Sequence, residues 1–368
     1  MIVERVRHAI DVFLGRGEAA ITVPPLDGAL RPNHRLDDAP LRIACPQPDC
    51  LAVSGGRILV SSGMHLQRIE QDRIVTQATL DHDIACLAAA PDGAVIAGLV
   101  DGRMIVLGGR HEGRSLALPE GARCLTAMTL SGDTLLVCNG SATRTPAEWR
   151  CDLMERNASG SVWRVDLASG RAERIIAGLG YPCGVIAIGE DLVVSESWKH
   201  RLLRYRAAGN RCEEILGDLP GYPGRLSAAS GGGYWLSVFA PRSQLVEFVL
   251  HEPGFRKRMM AEVEPDYWVS PTLRAGRSYY EVLQGGGVKH LGILKPWSPT
   301  RSFGMLAHLD RDFQPDDSYQ SRADGRTHGV TCAVDHDGKV YAASKGDDVI
   351  VAFETQASDG DFRIGGLA

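Results

Sequence analysis

The amino-acid sequence predicts an all-β protein, a six-bladed β-propeller whose blades each contain four strands. Three observations support this prediction. Glycine contributes 42 and proline 19 of the 368 residues, a high share that indicates many tight turns. Short apolar runs with a turn between them recur at a period of about 40 residues, as they do in propeller blades. Hydrophobic residues make up 44% of the chain, which is enough for a large core.

Six segments share one order of residues: a small or sulfur-bearing residue, an apolar run, a glycine or acidic turn, and a second apolar run. We interpret each as a β-hairpin. A third strand follows in most units, as at 102–106 and 201–205, and an outer fourth strand is seen at 171–176 and 212–216. Because a single hairpin cannot bury both faces, neighbouring blades must stack to complete the core. The hairpins span residues 50–60, 86–97, 124–137, 182–194, 223–236 and 328–342.

The chain has segments that the repeats do not explain. Residues 1–40 are predicted to form an N-terminal helix and a proline-rich arm, and residues 41–368 the propeller. Residues 139–160 form a loop within the third unit, and residues at about 250–300 form a partly helical insertion in the fifth. Three roles remain open for this insertion: a lid over the central channel, a dimer contact, or surface decoration.

The charge balance and the lengths of the apolar runs exclude several classes of protein. The 45 acidic and 40 basic side chains give a net charge of −5, which offers no basic surface for nucleic acid or anionic membranes. No stretch reaches the roughly 18 apolar residues of a membrane span. Glu4, Arg5, Arg7 and Asp11 interrupt the apolar core that a secretory signal needs. We therefore expect a cytoplasmic monomer or homodimer whose partner is a small-molecule substrate.

The nine cysteines are scattered and contain no Cys-x-x-Cys pair, which argues against a disulfide framework or a zinc ribbon. Cys50, Cys86, Cys124 and Cys183 lie near the starts of four predicted hairpins, so we expect them to converge on the channel. Three interpretations are open: packing of a narrow channel, a soft-metal site for zinc or copper, or a catalytic thiol. In the last case Cys183 would be activated by Arg225 or by a histidine.

The first residues of the innermost strands are predicted to line the mouth of the channel. His328 begins the last inner strand and is the predicted general acid/base, with a structural histidine as the alternative. Arg225 is predicted to bind a substrate carboxylate or an oxyanion, with an ion pair to Glu196 as the alternative. The predicted catalytic residues are thus His328, Cys183 and Arg225. The predicted substrate-binding residues include Asp49, Cys50, Cys86, Cys124, Glu196, His200, Arg242 and Lys345.

Several motifs resemble the strictosidine synthase-like family. The clearest is Gly-Tyr-Pro-Cys-Gly-Val at 180–185, and the others follow in the family's order between about residues 45 and 353. The resemblance implies a six-bladed propeller, related to the gluconolactonases and paraoxonases, with a site at the mouth of the channel. The further motifs are residues 159–166, 193–197, 199–205, 219–223, 233–237 and 334–341.

The sequence departs from the calcium-dependent relatives at the positions of their metal ligands. Those relatives carry an asparagine after the proline of the fourth blade and an Asp-Asn pair after that of the fifth. Cys183 and Gly224-Arg225 stand there in this sequence, and Asp49 matches the acidic ligand of the first blade. Calcium takes six to eight hard oxygen ligands, which a thiol and a guanidinium do not supply. We therefore expect no metal and no cofactor.

The sequence also departs from strictosidine synthase itself, which uses a glutamate as acid/base just before the last hairpin. Thr331 stands at that place, and its hydroxyl does not titrate near neutral pH, so we expect it only to contact substrate. The first expectation is metal-independent hydrolysis of an ester or lactone at the channel mouth. The second is a lyase or isomerase acting on a carboxylated small molecule, and the third a non-catalytic propeller that binds a small molecule.

Overall fold

The computed structural model describes residues 22–90, 92–119, 122–282 and 301–355. Within these ranges, 24 strands form six four-stranded antiparallel sheets that surround a central channel. This arrangement confirms the predicted six-bladed propeller. The helix predicted near the N-terminus and the later part of the insertion lie outside the described residues.

Each blade runs from an inner strand at the channel to an outer strand at the rim, and the inner strand of every blade packs against those of both neighbours. The inner strands of blades 1 to 6 are β2 (Pro48–Ser54), β6 (Ile84–Ala89), β10 (Leu125–Ser131), β14 (Pro182–Ile188), β18 (Gly221–Ala228) and β22 (Val330–His336). The second strands are β3 (Arg57–Ser62), β7 (Val95–Leu99), β11 (Thr134–Asn139), β15 (Asp191–Glu196), β19 (Tyr234–Pro241) and β23 (Lys339–Ser344).

The outermost strands are more exposed than the inner ones. The third strands are β4 (His65–Glu70), β8 (Arg103–Leu107), β12 (Gly160–Asp166), β16 (Arg201–Arg206), β20 (Met305–Leu309) and β24 (Val349–Glu354). The outermost strands of blades 1 to 5 are β5 (Arg73–Thr79), β9 (Ser115–Ala117), β13 (Ala172–Leu179), β17 (Arg211–Leu216) and β21 (Pro315–Gln320).

The sixth blade is completed by the beginning of the propeller sequence. Its outermost strand is β1 (Leu41–Ala44), which pairs antiparallel with β24 and places Ile43 opposite Ile350. The ring is therefore closed by main-chain hydrogen bonds between strands from the two ends of the described chain.

A β-bulge interrupts every inner strand near its start. In blade 4, for example, Pro182 pairs with Glu196 and Gly184 pairs with Ser195, so that Cys183 has no partner on the next strand. A bulge leaves its extra residue outside the ladder and redirects that residue's side chain. The residues at the bulges of the six blades include Asp49, Ala85, Thr126, Cys183, Arg225 and Thr331.

Two segments between strands pack together beside the channel mouth. The loop in blade 3 contains helix α1 (Trp149–Glu155), and the insertion in blade 5 contains α2 (Gln244–Leu250) and α3 (Pro253–Glu262). The predicted helical part of the insertion corresponds to α3. Apolar side chains of all three helices form one buried cluster with the end of β19. No helix in the described ranges has the length and apolar character needed to cross a membrane.

Candidate functional site

A cavity of about 580 Å³ opens at the mouth of the channel. Its floor consists of the six bulge residues, one from each blade. Its walls come from the blade 3 loop around α1, from the described part of the insertion that follows α3, and from loops of blades 1, 2 and 6. The floor residues are Asp49, Ala85, Thr126, Cys183, Arg225 and Thr331.

The Arg225 side chain reaches across the floor and contacts four other blades. Its Nε donates to the carbonyl oxygen of Thr126 at 3.1 Å, and Nη2 donates to that of Ala85 at 2.7 Å. Its Nη1 lies 3.0 Å from the Asp49 carbonyl oxygen, 2.7 Å from Asp49 Oδ1 and 3.2 Å from the Thr331 carbonyl oxygen. The guanidinium thus neutralises a carboxylate and satisfies carbonyl groups that the bulges leave outside the strand ladders.

Asp49 is the acidic centre of the floor. Its Oδ1 accepts a hydrogen bond from Arg225, its Oδ2 accepts one from Lys345 Nζ, and its carbonyl oxygen accepts one from the Thr331 hydroxyl at 2.6 Å. Burial alone would raise the pKa of this carboxyl, but the positive charges of Lys345 and Arg225 outweigh burial and hold the pKa at about 2. Asp49 is therefore ionised at neutral pH.

Six of the nine predicted substrate-binding residues lie outside the cavity lining: the polar residues Glu196, His200 and Arg242, and the thiols Cys50, Cys86 and Cys124. The Glu196 carboxylate accepts hydrogen bonds from the Gly180 amide and from Arg201 Nε, each at 2.7 Å. The alternative prediction of an Arg225–Glu196 ion pair is therefore wrong, since Arg225 pairs with Asp49. His200 and Arg242 lie against the α2 side chain Glu247, at 3.5 and 3.3 Å. These groups link blades 4 and 5 to the base of α2.

His328 is enclosed beside the cavity and does not line it. Its side chain is buried, with Nδ1 at 2.8 Å from the Ser302 hydroxyl and Nε2 at 2.9 Å from the Arg322 carbonyl oxygen. A carbonyl oxygen only accepts hydrogen bonds. Nε2 must therefore carry the proton of the imidazole and donate a hydrogen bond to the Arg322 carbonyl oxygen. Burial is the main cause that lowers the pKa of this imidazole. The expected role as general acid/base stays a prediction, and this geometry favours the structural alternative.

Of the four cysteines predicted to converge on the channel, Cys183 alone lines the cavity. Burial raises the pKa of its thiol to about 11 in spite of the nearby Arg225. Cys86 and Cys124 are fully buried in the blades, and burial raises the pKa of Cys124 to about 12. Cys50 is also buried, and a hydrogen bond from Cys332 is the largest cause that lowers its pKa to about 7. In the described ranges, no group of three His, Cys, Asp or Glu side chains is placed to hold a metal ion.

Sequence reasoning missed the aromatic wall of the cavity. Trp149, Tyr181 and Phe239 line one side of it. Trp149 and Phe239 meet edge to face with ring centroids 5.5 Å apart, and Tyr181 stacks on Trp198 at 4.5 Å. Tyr181 belongs to the Gly-Tyr-Pro motif. Its backbone is left-handed, with φ of 57°, a conformation that is uncommon for residues other than glycine and is typical of tight turns. The Gly-Tyr-Pro motif itself was the available signal for Tyr181.

The fold and the cavity together define a six-bladed β-propeller with a small-molecule-sized cavity at its channel mouth. No family model matches the chain. Among curated proteins, it is similar to the protein strictosidine synthase-like 13 of Arabidopsis thaliana, at 27% identity over 130 residues, or 32% of each chain. It is also similar to the adipocyte plasma membrane-associated proteins of Bos taurus, at 26% over 139 residues (35% of this chain and 34% of the relative), and of Danio rerio, at 25% over 114 residues (28% of each). The aligned part therefore spans only about a third of each of these relatives.

A solved structure described as a putative gluconolactonase has the same fold. It superimposes with a TM-score of 0.51, covering 85% of this chain and 91% of that chain, at 11% sequence identity. At this identity the likeness concerns the fold alone. Together with the curated relatives, it confirms the resemblance that the sequence motifs indicate, at the level of the propeller superfamily.

Proposed function

We propose that this propeller is a metal-independent enzyme that hydrolyses an ester or lactone of a small organic molecule in the mouth cavity. The observation that carries the proposal is the pair formed by Asp49 and Lys345 at the cavity lining. A carboxylate and an ammonium group lie side by side there, in a cavity of the size that small-molecule sites commonly have. The likeness to a putative gluconolactonase in fold makes this reaction class the first to test.

Asp49 and Lys345 have complementary roles in this proposal. The ammonium group of Lys345 has three N–H donors, and one of them binds Asp49. The other two can donate hydrogen bonds to the oxyanion that develops on the substrate carbonyl. Each carboxylate oxygen of Asp49 has a second lone pair, which can accept a proton from the attacking water. The water oxygen bonds to the carbonyl carbon and the ester C–O bond breaks. Asp49 then returns the proton to the leaving alkoxide, so that an alcohol and a carboxylic acid result, and the acid releases its own proton to solvent as the carboxylate forms.

This assignment differs from the sequence-based one for physical reasons. Arg225 holds Asp49 in place, and most of its N–H groups already bind backbone carbonyls. It is therefore poorly available as a clamp for a substrate carboxylate, and the lyase or isomerase alternative loses its main support. Cys183 is not activated, because the pKa of its thiol is raised.

The test measures acid release from a panel of esters and lactones by titration at constant pH. We expect Lys345→Met and Asp49→Asn each to lower kcat by at least about 100-fold, the effect of removing one oxyanion donor or general base. Lys339→Met, at the exposed start of β23 in blade 6, is the matched control and should retain full activity. A chelator should leave turnover unchanged. Full turnover in both site variants, or its loss with the chelator, would contradict the proposal.

A second candidate function is binding of a small molecule without turnover. It is favoured by the saturation of the floor, since both Asp49 oxygens are already ion-paired. Isothermal titration calorimetry with the same panel separates the two. A ligand that binds tightly, needs the cavity residues and is recovered unchanged supports the binding function and excludes hydrolysis of that ligand.

A further inference from the structure

The aromatic wall of the cavity is a rigid apolar surface. Trp149 and Phe239 contact each other edge to face, and both also contact Trp198, which stacks on Tyr181. Leu125 extends the same side of the lining. Such a surface gains binding free energy by covering apolar or aromatic parts of a ligand and offers little to a polyhydroxylated one.

Buried polar contacts fix the orientation of this wall. The indole N–H of Trp198 donates to Asp152 at 2.7 Å, and the Asn157 amide donates to the other oxygen of Asp152 at 2.7 Å. At the surface, an exposed ion pair of Arg150 with Asp266, at 2.9 Å, also joins α1 to the insertion. The aromatic rings are therefore held in place before a ligand arrives, which reduces the entropy lost on binding.

The ring order of the blades places Trp149 and Tyr181 across the cavity from the proposed catalytic pair. Trp149 belongs to blade 3, Tyr181 to the junction of blades 3 and 4, and Phe239 to blade 5. Asp49 and Lys345 belong to blades 1 and 6. In a ring of six blades, blades 3 and 4 lie opposite blades 6 and 1. A ligand whose carbonyl lies at Lys345 therefore extends its remaining atoms towards the aromatic rings.

The charges at the cavity floor do not cancel completely. Arg225 and Lys345 share the single carboxylate of Asp49, which leaves one positive charge in excess among these three groups. Elsewhere in the lining, Arg150 pairs with Asp266, and Arg301 lies 3.6 Å from Glu281. The excess positive charge lies beside the position proposed for the substrate carbonyl, where it favours the negative charge that develops on the carbonyl oxygen.

From these observations we infer that the cavity selects esters or lactones that carry an aromatic or bulky apolar substituent, and that Trp149 is the residue that determines this specificity. The inference rests on the proposed function for the reaction, but its binding part is independent of turnover. The substituent lies on the aromatic wall while the carbonyl lies at Lys345.

The kinetic test compares three δ-lactones of the same ring size: phenyl-substituted, unsubstituted and polyhydroxylated. We expect kcat/KM to be about 10- to 100-fold higher for the phenyl-substituted lactone than for the other two, the effect of burying one aromatic ring. Trp149→Ala should reduce this preference by about 10-fold. Phe248→Ala is the control, because this ring is half exposed on α2 away from the cavity, and it should leave the preference unchanged. If Trp149→Ala impairs folding, Trp149→Leu replaces it.

The binding test uses a phenyl-substituted δ-lactam, in which the stable amide replaces the ester bond. We expect it to change the tryptophan fluorescence of the protein on binding and to bind at least about 10-fold more weakly to Trp149→Ala. Lactam binding with this dependence, but no lactone turnover, would refute the hydrolase proposal and uphold the ligand class. Turnover that favours the polyhydroxylated lactone, or that Trp149→Ala lowers equally for all three, would overturn the inference and uphold the hydrolase.

Discussion

Asp49 and Arg225 join the blades at the level of single residues. Arg225 donates to the bulge residues of four other blades, and Asp49 provides the only carboxylate among the six floor residues. Both side chains are largely buried, and breaking a buried ion pair leaves an uncompensated charge whose cost is several kcal/mol. The pair therefore stabilises the ring as well as shaping the floor of the cavity.

This ion pair predicts a pH dependence of stability. The pKa of Asp49 is about 2 in the folded protein, against an ordinary value of 3.8. A lowered pKa stabilises the fold above the unfolded value, and that contribution is lost as pH falls from about 4 to about 2. A difference of this size corresponds to about 2 kcal/mol at neutral pH. Urea unfolding at a series of pH values should therefore show a steeper loss of stability for the wild type than for Asp49→Asn. Equal slopes in the two proteins would show that Asp49 does not make this contribution.

The bulged start of the inner strand is the element that builds the cavity floor. The bulge in β14 brings Gly184 against β18 of the next blade, where an added Cβ would lie 2.6 Å from the Gly224 carbonyl oxygen and 2.9 Å from the Leu226 amide. Both neighbours are backbone atoms, so the strands themselves would have to separate. The close spacing of β14 and β18 thus requires a glycine at position 184, whose side chain is only a hydrogen atom.

We expect Gly184→Ala to lower the free energy of unfolding by about 1–3 kcal/mol, as overpacking of a tight core does. Gly231→Ala is the matched control: it lies in a turn where an added Cβ meets no atom within 4 Å. Thermal or urea unfolding of both variants measures the difference. A loss in Gly184→Ala no larger than in the control would mean that the two strands can move apart freely.

The same bulges explain how far the site can be predicted from the sequence. Asp49, Cys183 and Arg225 are correctly placed at the channel mouth, because they follow recognisable turns at the strand starts. Cys86 lies one residue beyond the bulge residue of its strand, and a shift of one residue turns a side chain to the other face. His328 lies three residues before Thr331, the bulge residue of its strand. It belongs to a loop that does not follow the repeating pattern of the hairpins.

The propeller itself is predictable because its signal is repeated. Each hairpin consists of two short apolar runs joined by a turn, and six units with the same order reinforce one another. The cavity walls have no such signal. Trp149 reaches its position through contacts with Phe239 and Trp198, which are distant in sequence, and no local pattern encodes them. The strand β1 is equally hard to predict from the sequence, since its four residues, one of them an arginine, have no distinctive hydrophobic pattern.

On the scale of the whole molecule, the stability of the ring depends on β1. Ile43 is buried where β1 pairs with β24. We expect Ile43→Ala to lower the free energy of unfolding by about 2–4 kcal/mol, the usual cost of removing a buried isoleucine side chain. Ile74→Ala is the control, since Ile74 lies half-buried on β5, the outermost strand of blade 1, and should cost about 1 kcal/mol. Equal losses in urea unfolding would show that the closing strand has no special role.

The pairing of β1 with β24 also governs the order of events as the chain folds. It joins residues roughly 300 positions apart in sequence. The entropy of closing so long a loop grows only with the logarithm of its length, so the final stability suffers little, whereas non-local pairings of this kind slow folding. During synthesis, β1 emerges from the ribosome long before its partner exists. Until β24 follows, the nascent protein is an open arc with an unpaired strand edge at each end, and it is most vulnerable to aggregation in that interval.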